Sequence, residues 1–228
     1  MPANLLKCID SWKKFLPDYE LIKWDLNRFP LEKNIWVKQA FERKKYAFAA
    51  DYIRLYALAT EGGIYMDSDV EVIRSFDDLL SLPYFICKEN SPKGVEAAVI
   101  GAEPHTEWIN RCLDYYKDKN FVNADGTLQQ MVLPRIILDV MNASFKVEHV
   151  NKPDNVLRSP GTVYVLPYDY FSPKSYVTKR VSLTENTYAI HHFAGSWMPF
   201  WKKILLLAWV PLTMWFPDLT NKIKAIIK

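Results

Sequence analysis

KKYAFAADYIRLYALATEGGIYMDSDVEV, residues 44–72, is the stretch on which the reading of this chain turns. From residue 35 to residue 60 the sequence is rich in Ala, Lys, Arg, Leu and Tyr and holds neither Gly nor Pro, so it predicts one or two helices. Gly62-Gly63 stops them, because glycine enters the left-handed conformation that ends a helix at little cost. Ile64-Tyr65-Met66 then reads as a short buried strand, and it runs into Asp67-Ser68-Asp69. In open α/β sheets ligands sit outside the carboxyl ends of strands. The two acids are therefore expected at a ligand site.

Working outward, Leu5, Leu6, Ile9, Trp12 and Phe15 repeat at helical spacing until Pro17-Asp18 ends the helix. YELIKW at 19–24 alternates and predicts a strand. Downstream, the pattern predicts a short helix at 77–82, strands at 84–87 and 97–100, and a helix at 107–116 with Trp108, Cys112 and Tyr115 on one face. A further helix is predicted at 134–141, with strands at 163–167 and 187–192. Helices and strands alternate with no linker, so one α/β domain at 1–198 is expected, followed by a separate tail at 199–228. Half of the 228 residues are apolar and 14% aromatic, enough for a substantial core. A formal charge of +3, from 29 basic and 26 acidic residues, is far from the dense basic surface of a nucleic-acid binder, and no nucleic-acid partner is expected.

Asp67 and Asp69 flank one serine, and on an extended segment alternate side chains share a face. Two carboxylates so placed suit Mg²⁺ or Mn²⁺, which take oxygen ligands and keep positions open for phosphate oxygens. A DxD triplet alone is a weak signal, since such triplets also occur as solvated turns. Asp51 and Arg54, three apart on the preceding helix, add weight. The carboxylate can accept from sugar hydroxyls and the guanidinium can donate a fixed fork to a hydroxyl or phosphate. The plainer alternative is a surface ion pair, but the surrounding AFAADYIRLYALA is too apolar for a solvated face. At the end of the last predicted strand stand His191-His192-Phe193-Ala194-Gly195-Ser196-Trp197. One imidazole there can ligate metal, while Gly195-Ser196 lets backbone N–H groups approach a phosphate. Strand alternation selects His192 and turns His191 away. Glu71 and Glu96 are possible bases, but a surface or strand-end glutamate is usually only solvated, so neither is assigned a role.

Residues 44–72, together with IGAEPHTEW, LPYDYFSPKSY and ENTYAIHHFAGSW, resemble the sugar-binding DXD region of family 32 glycosyltransferases, a group that includes capsule and lipopolysaccharide transferases and yeast mannosyltransferases. The resemblance implies a GT-A (Rossmann-like) nucleotide-diphospho-sugar transferase fold, with a mixed central sheet flanked by helices. It also implies transfer with retention from a nucleotide sugar, such as a UDP-sugar, to a saccharide or lipid-linked saccharide of the cell surface. By the family's pattern Asp51, Arg54, Asp67 and Ser68 meet the donor, and Asp67 and Asp69 serve the metal with His192. Gly195, Ser196 and Trp197 complete the donor site. Members carry a further strand ahead of the first helix, whereas this sequence opens at the helix, so a catalytically silent sugar-binding or scaffold protein stands as the alternative. A metal-dependent phosphohydrolase is disfavoured, because no second carboxylate cluster supplies a two-metal site.

Cys8, Cys87 and Cys112 are odd in number and widely spaced, and no signal-like apolar region opens the sequence, so a cytoplasmic location is expected. Near the other end ILLLAWVPLTMWF at 204–216 carries no charge and is flanked by lysines. As a helix it would reach only about 20 Å, against about 30 Å of hydrocarbon, so it does not span a bilayer. Its tryptophans and lysines suit an amphipathic helix lying on an anionic leaflet, which would place the protein peripherally on the inner face of the cell membrane.

Overall fold

The computed structural model describes residues 2–91, 94–176 and 178–195. Ser196, Trp197 and the whole expected tail at 199–228 lie outside them.

The helix α1 (Ala3–Phe15) ends on Lys13 and Lys14, whose charges favour the C-terminal dipole. Helices α2 (Ile35–Glu42) and α3 (Tyr46–Thr60) share the long helical stretch, and Lys44 takes a positive φ of 57° at the break. The Asn34 side chain accepts the Val37 N–H at 3.0 Å and caps α2. Gly62, at φ 70°, closes α3 and turns the chain into β1 (Gly63–Met66). A Cβ on Gly62 would lie 2.7 Å from Pro104 Cδ, so space as well as backbone geometry demands glycine here.

After β1 come β2 (Val70–Val72), β3 (Tyr84–Phe85), β4 (Val99–Ala102), α4 (Glu107–Asp114), α5 (Leu133–Ser144), β5 (Lys146–His149), β6 (Thr162–Val165) and β7 (Ala189–His191). Strands β1, β4 and β3 pair antiparallel in that order, and β5 pairs parallel with β6. The chain just beyond β3 joins the two sets: Leu166 N–H donates to Ile86 O and Lys88 N–H to Leu166 O, both at 2.9 Å, a parallel bridge. The result is a mixed α/β fold of small sheets with helices packed against them. Trp36 is fully buried where α2 meets α3, edge-on to Tyr116 and Phe121 at 5.0 and 5.2 Å. Burying a side chain of this size contributes on the order of 1.5–3 kcal/mol.

Strands β2 and β7 form a separate antiparallel pair beside the acidic motif. On the outer edge of β2, α1 stands in for a neighbouring strand. Its Trp12 Nε1 donates to Val70 O at 2.7 Å, and its Ser11 Oγ accepts the Val72 N–H at 2.9 Å. These bonds satisfy backbone groups that an edge strand otherwise leaves open.

Two expectations fail. YELIKW at 19–24 forms no strand, and Leu21 and Ile22 are exposed: alternation supplies a face, but no described strand pairs with it. Of 77–82 only Asp77–Leu79 coils, as one turn of 3-10 helix. The sequence reading also missed β2 and β5, both of four residues or fewer and too short for a periodic signal.

Candidate functional site

The acidic motif is not extended. Val70 N–H donates to Asp67 O at 3.0 Å, closing Asp67-Ser68-Asp69 into a tight turn between β1 and β2. Ser68 is exposed at its tip. Both carboxylates still converge, through the turn rather than through strand alternation.

Asp51 and Arg54 occupy the buried face of α3, 9% and 7% exposed, so the pair is not a solvated one. Arg54 Nη2 lies 3.1 Å from Asp51 Oδ1 and 3.2 Å from Asp67 Oδ1, and Nη1 donates to Ala97 O at 2.7 Å. The guanidinium also covers the Tyr65 ring at 4.4 Å, while the Tyr65 hydroxyl donates to Asp67 Oδ1 at 2.5 Å. Burial works to discharge Arg54, but Asp67, Tyr65 and Asp51 outweigh it and hold the guanidinium firmly protonated. Burial lifts Asp51 to about 6, against the pull of Arg54 and the Leu133 N–H that its Oδ2 accepts at 3.2 Å. That N–H belongs to the first turn of α5, so Asp51 also fastens α5 to α3. Arg54 Nε and the Tyr116 hydroxyl are buried with no hydrogen-bond partner among the described residues.

The two histidines exchange the roles expected of them. His191 approaches the acids: its Nε2 is 3.6 Å from Asp69 Oδ2 and its Nδ1 is 3.1 Å from Glu96 Oε2. His192 turns to Glu71, with Nε2 at 2.7 Å from Oε2, and its backbone N–H donates to Asp69 O at 3.0 Å. Alternation does put the two rings on opposite faces of β7. The turn at residues 67–69 rotates the Asp69 carboxylate onto the face of His191, which alternation could not foresee. Burial opposes protonation of His191, but Glu96 and Asp69 raise it to about 10. Burial pushes Asp69 upward, yet bonds from His191 and the Ala194 N–H hold its carboxyl below the ordinary value.

Asp67, Asp69 and His191 each offer one ligand atom, and the three atoms lie within 4.8 Å of one another. Two carboxylate oxygens and one imidazole nitrogen are a donor set that fits a divalent cation. Gly195, at φ 55°, follows directly at the edge of the described residues. Sequence reasoning also missed Tyr65, Glu96 and two lysines. Lys174 Nζ is 3.4 Å from His192 Nδ1, and Lys179 Nζ lies over Tyr176 and Phe193 at 4.3 and 5.6 Å. The only signal for these lysines is the basic, aromatic run in SPKSYVTKR. Glu96 is 1% exposed, not solvated as expected.

The acids thus cluster beyond a strand end of a mixed α/β domain. Residues 2–86 match the family described as glycosyltransferase sugar-binding region containing DXD motif. Mannosyl phosphorylinositol ceramide synthase SUR1 of Saccharomyces cerevisiae is 32% identical over 176 residues, 75% of this chain and 43% of the relative. Inositol phosphoceramide mannosyltransferase 2 of Schizosaccharomyces pombe is 27% identical over 182 residues, 75% of this chain and 49% of the relative. The chain thus spans less than half the length of these two curated relatives. The solved PaToxG glycosyltransferase is 21% identical with a TM-score of 0.44, covering 63% of each chain.

Proposed function

We propose that this protein is a divalent-metal-dependent, retaining glycosyltransferase that moves a hexosyl group from a nucleoside diphosphate sugar to a hydroxyl of a saccharide or glycolipid. The observation that carries the reading is the Asp67, Asp69 and His191 cluster beside the buried Asp51–Arg54 pair. Mn²⁺ or Mg²⁺ bound there would neutralise charge building on the diphosphate leaving group. Asp51 accepts a donor-sugar hydroxyl. Arg54 and Tyr65 fix Asp67 toward the ribose and sugar, with Ser68 beside it. Lys174 and Lys179 add positive charge beside His192 and Phe193 for the diphosphate, and the family's pattern assigns donor contacts to Gly195 and, outside the described residues, to Ser196 and Trp197. The acceptor hydroxyl attacks the anomeric carbon from the leaving-group face and gives its proton to the departing β-phosphate oxygen. The expected outcome is slow hydrolysis of UDP- or GDP-linked hexoses that requires Mn²⁺ and is lost in Asp69→Ala. Undiminished hydrolysis in EDTA would overturn the metal role.

One observation favours a second reading, a sugar-binding or scaffold protein without turnover: Asp51, Arg54 and Asp67 already satisfy one another. In a titration with UDP-sugars and Mn²⁺, the absence of both binding and hydrolysis of the donor selects it.

The names of the two relatives, which specify inositol phosphoceramide mannosylation, together with the lysine- and tryptophan-rich sequence at 199–228, support a glycolipid acceptor at an anionic membrane face. The expected catalytic unit is 1–198. In flotation, the full chain is expected to rise with phosphatidylserine vesicles and a chain ending at residue 198 to stay in the buffer. Equal behaviour of the two removes the tail from membrane binding. Among the described residues no helix is long and apolar enough to cross a membrane.

A further inference from the structure

Glu96 is a buried charge that the reaction above leaves without a task. It is 1% exposed, and a carboxylate stays ionised in such a place only when donors surround it. Its Oε1 accepts the Ala98 N–H at 2.8 Å, and its Oε2 faces His191 Nδ1 at 3.1 Å. An ionised carboxylate only accepts, so the ring proton facing it belongs on Nδ1. A cation bound beside Asp69 would take the place of the proton on Nε2, the nitrogen directed at Asp69, so that Nε2 offers its lone pair while Nδ1–H stays on Glu96. The residues that follow Glu96 hold the rest of the cluster: Ala97 O accepts from Arg54 and Ala98 O accepts the Asp67 N–H at 2.8 Å.

We propose that Glu96 is the positioning residue of the cation site, fixing the tautomer and ring orientation of His191 so that Nε2 completes the ligand set with Asp67 and Asp69. The inference rests on the metal reading given above. It makes His191 a ligand whose basicity is set from behind by a carboxylate, an arrangement whose loss typically weakens metal affinity by about 10- to 100-fold. Glu96→Gln keeps the size of the side chain and an oxygen for Ala98 while removing the charge.

The test is Mn²⁺ affinity by electron paramagnetic resonance on the full chain. The expected result is a dissociation constant raised about 10- to 100-fold in Glu96→Gln, partly recovered in Glu96→Asp, with donor hydrolysis returning at excess Mn²⁺. Wild-type affinity in Glu96→Gln overturns the inference and leaves the metal reading standing. Absence of Mn²⁺ binding by the wild type overturns both. A measurement that needs no variant is the ¹⁵N spectrum of His191 in Mg²⁺-saturated wild type. A proton on Nδ1 is expected, and a proton on Nε2 overturns the proposal.

Discussion

At the scale of residues, the Asp51 carboxyl sets a pH dependence. Burial raises it to about 6, so it is ionised above that value and protonated below it. Only the ionised form both accepts a sugar hydroxyl and anchors Arg54. At saturating Mn²⁺, kcat/KM for donor hydrolysis is therefore expected to fall tenfold per pH unit below about 6. Asp51→Asn should be roughly 10²-fold slower at neutral pH and lack that limb. A limb that survives the substitution unchanged assigns it to another group. Asp51, Arg54, Asp67 and Asp69 were legible in sequence because helical i,i+3 spacing and a DxD triplet are local patterns. The choice between His191 and His192 was not, since it depends on a turn in another segment. Glu96 left only one trace, a lone acid inside VEAAVIGA, and its partner lies 95 positions away.

At the scale of elements, β4 is the strand on which the site is hung. A Cβ on Gly101 would stand 2.2 Å from the Phe85 ring, and that ring is buried in the core. Gly101→Ala must therefore push β3 from β4, a form of overpacking that costs about 1–3 kcal/mol. In a thermal melt the variant is expected to lose roughly 4 °C or more. An unchanged midpoint would mean that Phe85 can swing aside. The helices and most strands were legible because their periods and stops are written locally, Gly62-Gly63 above all. YELIKW shows the limit of such reasoning: its pattern is that of a strand, but pairing is a property of two segments. The same limit hid the service of Ser11 and Trp12 to β2, which links the first helix to the backbone beside Asp69.

At the scale of the whole molecule, the halves of the sequence meet at one place. α3 and the turn after β1 come from the family-matched region, while Glu96, the Lys174 loop and β7 come from beyond it. A fragment ending at residue 86 would carry Asp51, Arg54, Asp67 and Asp69 but neither His191 nor the Ala97 carbonyl that holds Arg54. The three cysteines sit at separate points of this assembly, Cys8 on α1, Cys87 where the two strand sets join, and Cys112 on α4, each buried and unpaired. Burial pushes the Cys8 thiol up to about 11 and that of Cys112 to about 12, with Cys87 raised well above its usual range. An alkylating reagent therefore reaches each only when its own region opens. The chain thus carries three internal clocks of local unfolding. The one at Cys8, close to Asp69 and Glu71, should slow when Mn²⁺ is added, while the one at Cys112 keeps its rate.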